Sequence, residues 1–231
     1  MKYQADLTVK CLSISASNTL QRTHVVRRES DMAWIETIDY AQATGKLRAL
    51  YDRIKGPNNN VDNIMMVHSL RPHTMEGHLV LYKNVLHHTA NKLPKWYLEV
   101  IGLKVSLING CSYCVDHHLA GLGKLIDDEK VFTAMKEGLW QNEYGDAFSA
   151  KEQAGLTYVG ILTRNPAHIS SFDINRLRLT GFSDAEILEV NQVASYFAYA
   201  NRTVLGLGVN TDNDLLGLSP SSMDSNEWSH R

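Results

Sequence analysis

Cys111, Cys114 and His118 stand at i, i+3 and i+7 in the stretch Asn109-Gly110-Cys111-Ser112-Tyr113-Cys114-Val115-Asp116-His117-His118. That spacing puts all three on one side of a helix. Two thiols one turn apart can close a disulfide, and a histidine one turn further can take a thiol proton. The chain holds only three cysteines, so a C-x-x-C pair points to redox chemistry or metal binding rather than packing. The Asn109-Gly110 break places Cys111 at or near a first helical turn, where free amides and the helix dipole stabilise a thiolate. A thiol nucleophile at neutral pH requires lowered acidity and a partner base. The second cysteine then resolves a mixed disulfide or sulfenic acid into an intramolecular disulfide. Glu99 sits on the preceding helix among Trp96, Tyr97, Val100 and Leu103. Because the chain doubles back at Asn109-Gly110, Glu99 can face the cysteine helix, and a carboxylate in apolar surroundings suits proton relay.

The elements that must position these groups all repeat at helical spacing. Leu47, Leu50, Tyr51 and Ile54 make one helix face, and Gly56-Pro57-Asn58-Asn59-Asn60 a loop. A helix through Ile64 and Val67 ends at Arg71-Pro72, and Leu79, Tyr82, Val85 and Leu86 mark the next. Leu93-Pro94 opens the helix through Val100, Leu103 and Leu107 that Asn109-Gly110 ends. Val115, Leu119, Leu122 and Ile126 are expected as the buried stripe of the cysteine helix, opposite the cysteines. Ser149–Glu152 and Ser183–Glu186 fit the capping box. The first opens a helix through Leu156, Val159 and Leu162, the second a long helix to about Leu207. Gly181 closes a short helix from about Ser171. No alternating strand is visible, so the expected class is all-α. A faint echo, Leu98-Glu99-Val100 against Leu188-Glu189-Val190 with Cys111 falling on Asn201, suggests an internal duplication.

The chain of 231 residues, 44% hydrophobic and 21% charged with a net charge of -2, reads as an ordinary globular protein able to bury a full core. No charge block marks a nucleic-acid surface, and no apolar run reaches the roughly 18 residues of a membrane helix. The segment Met1 to Leu20 does not read as a secretion signal. The expected compartment is the reducing cytoplasm. Residues 1–31 read as a loosely ordered extension, 32–210 as the helical domain and 211–231 as a tail. Cys11 looks unrelated to the pair.

Glu99, eleven residues, Cys111-x-x-Cys114, three residues, His118 resembles the active-site pattern of the alkyl hydroperoxidase D family, within the carboxymuconolactone decarboxylase-like superfamily. The phrase Asn-Gly-Cys-Ser-Tyr-Cys-Val-Asp-His-His is similar to its peroxidase-related branch. So are Trp34-Ile35 leading to Ala43-Thr44-Gly45 and Leu50-Tyr51, and the late Tyr196-Phe197 with Asn201-Arg202. The resemblance implies an all-helical homo-oligomer that reduces hydroperoxides, or exchanges disulfides with a partner, reset by a dithiol or protein disulfide reductant. It implies Glu99 and His118 as proton relay and Cys111 and Cys114 as the redox pair. The helix terminus favours Cys111 as the attacking thiol, whereas nearness to His118 and the resemblance favour Cys114, with Cys111 resolving. No metal, flavin or haem is required. Tyr113 stands where the best-described members carry a further histidine, so the relay is not identical. His117, at i+3 from Cys114, is expected to be a solvated neighbour.

Three other readings compete. Cys111, Cys114, His118 and Glu99 or a water could hold zinc, though no second C-x-x-C exists. Lactone-acid decarboxylation, the superfamily's other chemistry, needs no dithiol. A redox-sensing protein would oxidise slowly and without turnover. His68, His73, His78 and His87-His88 are expected at the surface or at helix ends. Met65-Met66 reads as core filler. Tyr196, Phe197 and Tyr199 read as packing or an oligomer interface rather than a substrate platform.

Overall fold

The computed structural model describes residues 32–217. The extension read over 1–31, with Cys11, lies outside them. Every regular element among the described residues is helical, as the sequence reading expects. They are α1 (Gly45–Ile54), α2 (Asn63–Met66), α3 (Pro72–Leu86), α4 (Lys95–Asn109), α5 (Ser112–Leu125), α6 (Glu129–Gln141), α7 (Ala150–Arg164), α8 (Ser171–Leu179) and α9 (Asp184–Leu207). No described helix is long and apolar enough to cross a membrane.

Helix α4 is the centre. Every residue from Tyr97 to Ser106 is buried, and a helix apolar on all sides belongs inside a bundle rather than on its surface. It packs against α5, α7 and α9. Val100, Ile101, Leu103 and Val105 are fully enclosed, and each contributes roughly 1.5–3 kcal/mol relative to an exposed side chain. A second core joins Leu47, Leu50, Tyr51 and Ile54 of α1 to Met75 and Leu79 of α3. Both capping boxes anticipated in the sequence are present, Ser149 with Glu152 and Ser183 with Glu186.

Helix α6 stands outside the elements read from periodicity. Its signals are in the chain nonetheless. The Asp128 side chain accepts from the amides of Lys130 and Val131, Asn142 ends the helix at φ 58°, and Met135 and Leu139 are its buried contacts. An Asp cap and a left-handed Asn are the start and stop that the local chemistry dictates.

The turn between α4 and α5 carries the fold's main consequence for chemistry. Gly110 adopts φ 69°, a conformation glycine takes without steric cost. Its amide donates to the Leu107 carbonyl, and the Cys111 amide reaches back 2.9 Å to the Ser106 carbonyl. This pair of bonds is a Schellman closure of α4. Cys111 is therefore both the last residue of one cap and the N-cap of α5. The two helices are left antiparallel with the sulfurs at their junction.

Candidate active site

Counting away from that junction brings Glu99 and His118 together. Both lie a few turns along their helices, on the facing sides. Glu99 Oε2 and His118 Nδ1 are 2.6 Å apart, with side chains only 5% and 13% exposed. A carboxylate on one imidazole nitrogen fixes the ring's orientation and leaves Nε2 to face outward. The His118 ring also meets Phe197 of α9 edge-on, with centroids 4.5 Å apart.

Both cysteines are free and buried. The opposite stripe is inside as expected, with Leu122 fully enclosed and Val115, Leu119 and Ile126 packed against the main core, so α5 is covered on both sides. Ala33, Val67, Val204 and Val209 close over the sulfurs, so the termini of the described chain and the end of α9 cover the face that periodicity left open. Cys111 Sγ donates to Cys114 Sγ across 2.7 Å. Once Cys111 ionises, the Cys114 thiol donates to its thiolate, which lowers the Cys111 thiol against the effect of burial and with help from the Cys114 amide. The Cys111 thiol, burial and the Cys111 charge together push Cys114 well up. Two sulfurs this close titrate as a unit: the first ionisation is eased and the second is strongly opposed. The Asn201 and Ser106 side chains also reach the Cys114 sulfur and favour its charged form. Asn201 is itself fully buried, donating to Ser106 Oγ at 3.1 Å and accepting from Asn109 at 2.9 Å.

A cavity of about 50 Å³ opens beside Cys114. Ile54, Ile64, Met65 and Leu79 form an apolar flank, and Asp62, Tyr113, His117, His118 and Tyr196 a polar one. Cys111 does not line it. Of the four residues expected at the site, Cys114 and His118 thus face the cavity, Glu99 stands behind His118, and Cys111 stands beside Cys114. Tyr196 and Phe197 are packed in the main core, as expected, and line the cavity as well.

A second carboxylate–histidine group was not anticipated. His117 is not a solvated neighbour. Its side chain is 12% exposed, and its Nε2 lies 3.2 Å from Asp214 Oδ2, off the line that a hydrogen bond needs. The Tyr113 ring lies 4.5 Å from the His117 ring, and its hydroxyl donates to Asp214 at 2.7 Å and accepts from the Ile64 amide at 3.1 Å. Asp214 also takes the Asn63 amide. It belongs to the segment read as a tail, and nothing local marks it. The tyrosine in place of a further histidine is thus tied to a carboxylate 101 residues away. Among the described residues no three metal-type side chains converge as a ligand set.

Asp62 is the strained member of this group. Burial, then the Asp214 charge, push its carboxyl up from 3.8 to about 6, partly offset by His117 and His118. A pKa raised in the folded state gives stability that is present below pH 4 and lost as pH rises through about 6. Above that pH the ionised carboxylate destabilises the fold by up to about 3 kcal/mol, at about 1.4 kcal/mol per unit. Asp62→Asn keeps the side chain's size at the N-cap position of α2, where it makes no capping hydrogen bond, and removes the charge. We expect it to raise stability by about 1–3 kcal/mol at pH 7.5 and to leave it unchanged at pH 3.5, read by denaturant unfolding at both values. A variant less stable at pH 7.5 would sink this account of Asp62.

Residues 72–135 match the model of the Carboxymuconolactone decarboxylase family, from the start of α3 into α6. No curated protein matches the sequence. Among solved structures the fold is similar to the alkylhydroperoxidase AhpD core of an uncharacterized peroxidase-related protein from Ralstonia eutropha JMP134. The TM-score is 0.67 at 17% identity, over 80% of this chain and 98% of that one. A second uncharacterized peroxidase-related protein, from Silicibacter sp. TM1040, gives 0.68 at 21% identity, over 83% and 97%. The debrominase Bmp8 gives 0.62 at 16% identity, over 75% and 89%. The stretch that matches the carboxymuconolactone decarboxylase family model thus contains Glu99, both cysteines of the pair and His118, in an all-helical fold of the alkylhydroperoxidase AhpD type.

Proposed function

We propose that this chain is a dithiol peroxidase that reduces small organic hydroperoxides and is reset by an external dithiol or protein disulfide reductant. The observation that carries the reading is the pair of free sulfurs 2.7 Å apart, one of them in the wall of a cavity that also holds His118 backed by Glu99. His118, oriented by Glu99, takes the proton of the pair as Cys114 ionises. The Cys114 thiolate attacks the terminal oxygen of the hydroperoxide. The O–O bond breaks, an S–O bond forms, and the departing alkoxide takes the proton from His118 and leaves as an alcohol. Cys111 then attacks the Cys114 sulfenic acid. An S–S bond forms, and hydroxide leaves with the Cys111 proton as water. Two thiols and one hydroperoxide have become a disulfide, an alcohol and water. A decarboxylase reading gives the sulfur pair no role.

Subunit association, expected from the resemblance, and a reducing compartment belong to the same proposal, because the dithiol form must be regenerated. The test is stoichiometric. One equivalent of cumene hydroperoxide added to the reduced chain should consume two of its three thiols, and dithiothreitol should restore them and sustain turnover. Thiols that stay titratable through excess peroxide would remove the reading.

A further inference from the structure

One wall of the cavity is the end of a hydrogen-bonded chain that the reaction above does not use. Tyr196 Oη lies 3.0 Å from His78 Nε2, His78 Nδ1 lies 3.1 Å from His68 Nε2, and His68 Nδ1 lies 2.9 Å from Thr74 Oγ1. Thr74 Oγ1 lies 2.8 Å from the Arg71 carbonyl oxygen. The chain runs inward from the turn at the start of α3 to a tyrosine of the cavity wall. His78 is 2% exposed, so it is not the surface histidine that its polar sequence context suggests. His68, half-buried, is the link to the outside.

Counting hydrogens fixes the direction of the chain. A neutral imidazole has one donor and one acceptor, and a hydroxyl has one hydrogen. Both rings are held neutral. Burial lowers His68, and burial with the nearby His68 pushes His78 down to about 3. The Arg71 carbonyl can only accept, so the Thr74 hydrogen goes there. His68 Nδ1 must then carry a hydrogen and donate to Thr74, which leaves His68 Nε2 as an acceptor. His78 Nδ1 must donate to it, which leaves His78 Nε2 bare. Among the described residues, the group placed to satisfy His78 Nε2 is the Tyr196 hydroxyl. One assignment of hydrogens makes all four bonds, and in it the phenol hydrogen points away from the cavity.

The geometry points to Tyr196 as the cavity's hydrogen-bond acceptor, taking the O–H of a hydroperoxide substrate, with His68 and His78 as positioning residues that keep its lone pair turned inward. The inference rests on the peroxidase reading and narrows its substrate class. A hydroperoxide, ROO–H, has one hydrogen, and it sits on the oxygen that the thiolate attacks. That hydrogen stays on the transferred oxygen as S–O–H, so the bond to Tyr196 persists into the sulfenic acid and no proton changes hands there. The R group is left for the flank of Ile54, Ile64, Met65 and Leu79. A dialkyl peroxide has no such hydrogen and makes no such bond.

Two measurements on the full chain test this. Two-bond nitrogen–proton NMR at pH 7.5 should show both His68 and His78 with the hydrogen on Nδ1; a hydrogen on Nε2 of either ring overturns the assignment. Tyr196→Phe should raise KM for cumene hydroperoxide about 10-fold, the worth of one hydrogen bond, with kcat within about twofold. Its rate of reaction with methyl methanethiosulfonate, a thiol reagent with no O–H, should stay within about twofold of the parent, as expected when no such bond is made. An unchanged KM, or an equal loss with both reagents, overturns the role given to Tyr196. If the parent chain does not reduce the peroxide at all, the peroxidase reading falls and the substrate assignment with it, whereas the ring tautomers still report the direction of the chain.

Discussion

Cys114→Ser is expected to lower hydroperoxide turnover by at least about 10³-fold, because loss of a covalent nucleophile removes the reaction path rather than weakening it. Cys111→Ser is expected to lose steady-state turnover to the same extent, for a different reason. Cys114 still lines the cavity and is still oxidised once, but nothing closes the disulfide. Dimedone should therefore trap a sulfenic acid in Cys111→Ser and none in Cys114→Ser. The two variants divide the pair into roles that equilibrium acidity alone does not assign, since the shared proton favours charge on Cys111 while of the two only Cys114 lines the cavity. The reverse trapping pattern would exchange the roles. Cys11→Ser should match the parent in every assay; equal loss from that change defeats the assignment of the pair.

That the four residues expected at the site come together was readable because their relation is local. A glycine stop after Asn109, a C-x-x-C step and an i+4 histidine are all set within one helix and its turn, and Glu99 follows from the reversal at that turn. The same local logic found the capping serines 149 and 183. Periodicity placed the valine–leucine stripe of α5 inside, and Leu122 is fully enclosed there. It does not show that the cysteine side is covered as well, although thiols bury readily. The cover comes from Ala33, Val204 and Val209, residues far from α5 in sequence. Asp214 and His78 were missed for the same reason. Their partners, Tyr113 and Tyr196, lie 101 and 118 residues away, and no spacing within one helix encodes a contact between helices. Helix α6 is a different case: Asp128 and Asn142 were legible caps, and the apolar stripe of Phe132, Met135 and Leu139 between them went unread.

The packing behind His118 gives the largest expected stability effect. Gly102 of α4 faces the Phe197 ring so closely that a Cβ placed there would stand 2.2 Å from Cζ and 2.3 Å from Cε2, more than 1 Å inside ordinary contact. Phe197 is enclosed, with His118 against one side and the small cavity as the space next to it. Gly102→Ala must therefore lift α9 from α4 or drive the ring toward His118 and into the cavity. Overpacking of a tight core costs about 3 kcal/mol or slightly more, and the better helix propensity of alanine returns about 1 kcal/mol. The net loss is expected near 2–3 kcal/mol, or about 4–12 °C in Tm for a domain of this size. Phe197→Leu removes the ring edge, so the double variant should be more stable than the sum of the two single losses by at least about 1 kcal/mol. Because Phe197 touches His118, Gly102→Ala should also slow peroxide reduction at temperatures where the chain is still folded, and the second substitution should not fully restore it. Thermal melts of the four chains decide the matter: a Gly102→Ala protein that melts at or above the parent temperature would show that α4 and α9 do not meet so closely, and the support given to His118 by Phe197 would go with that contact.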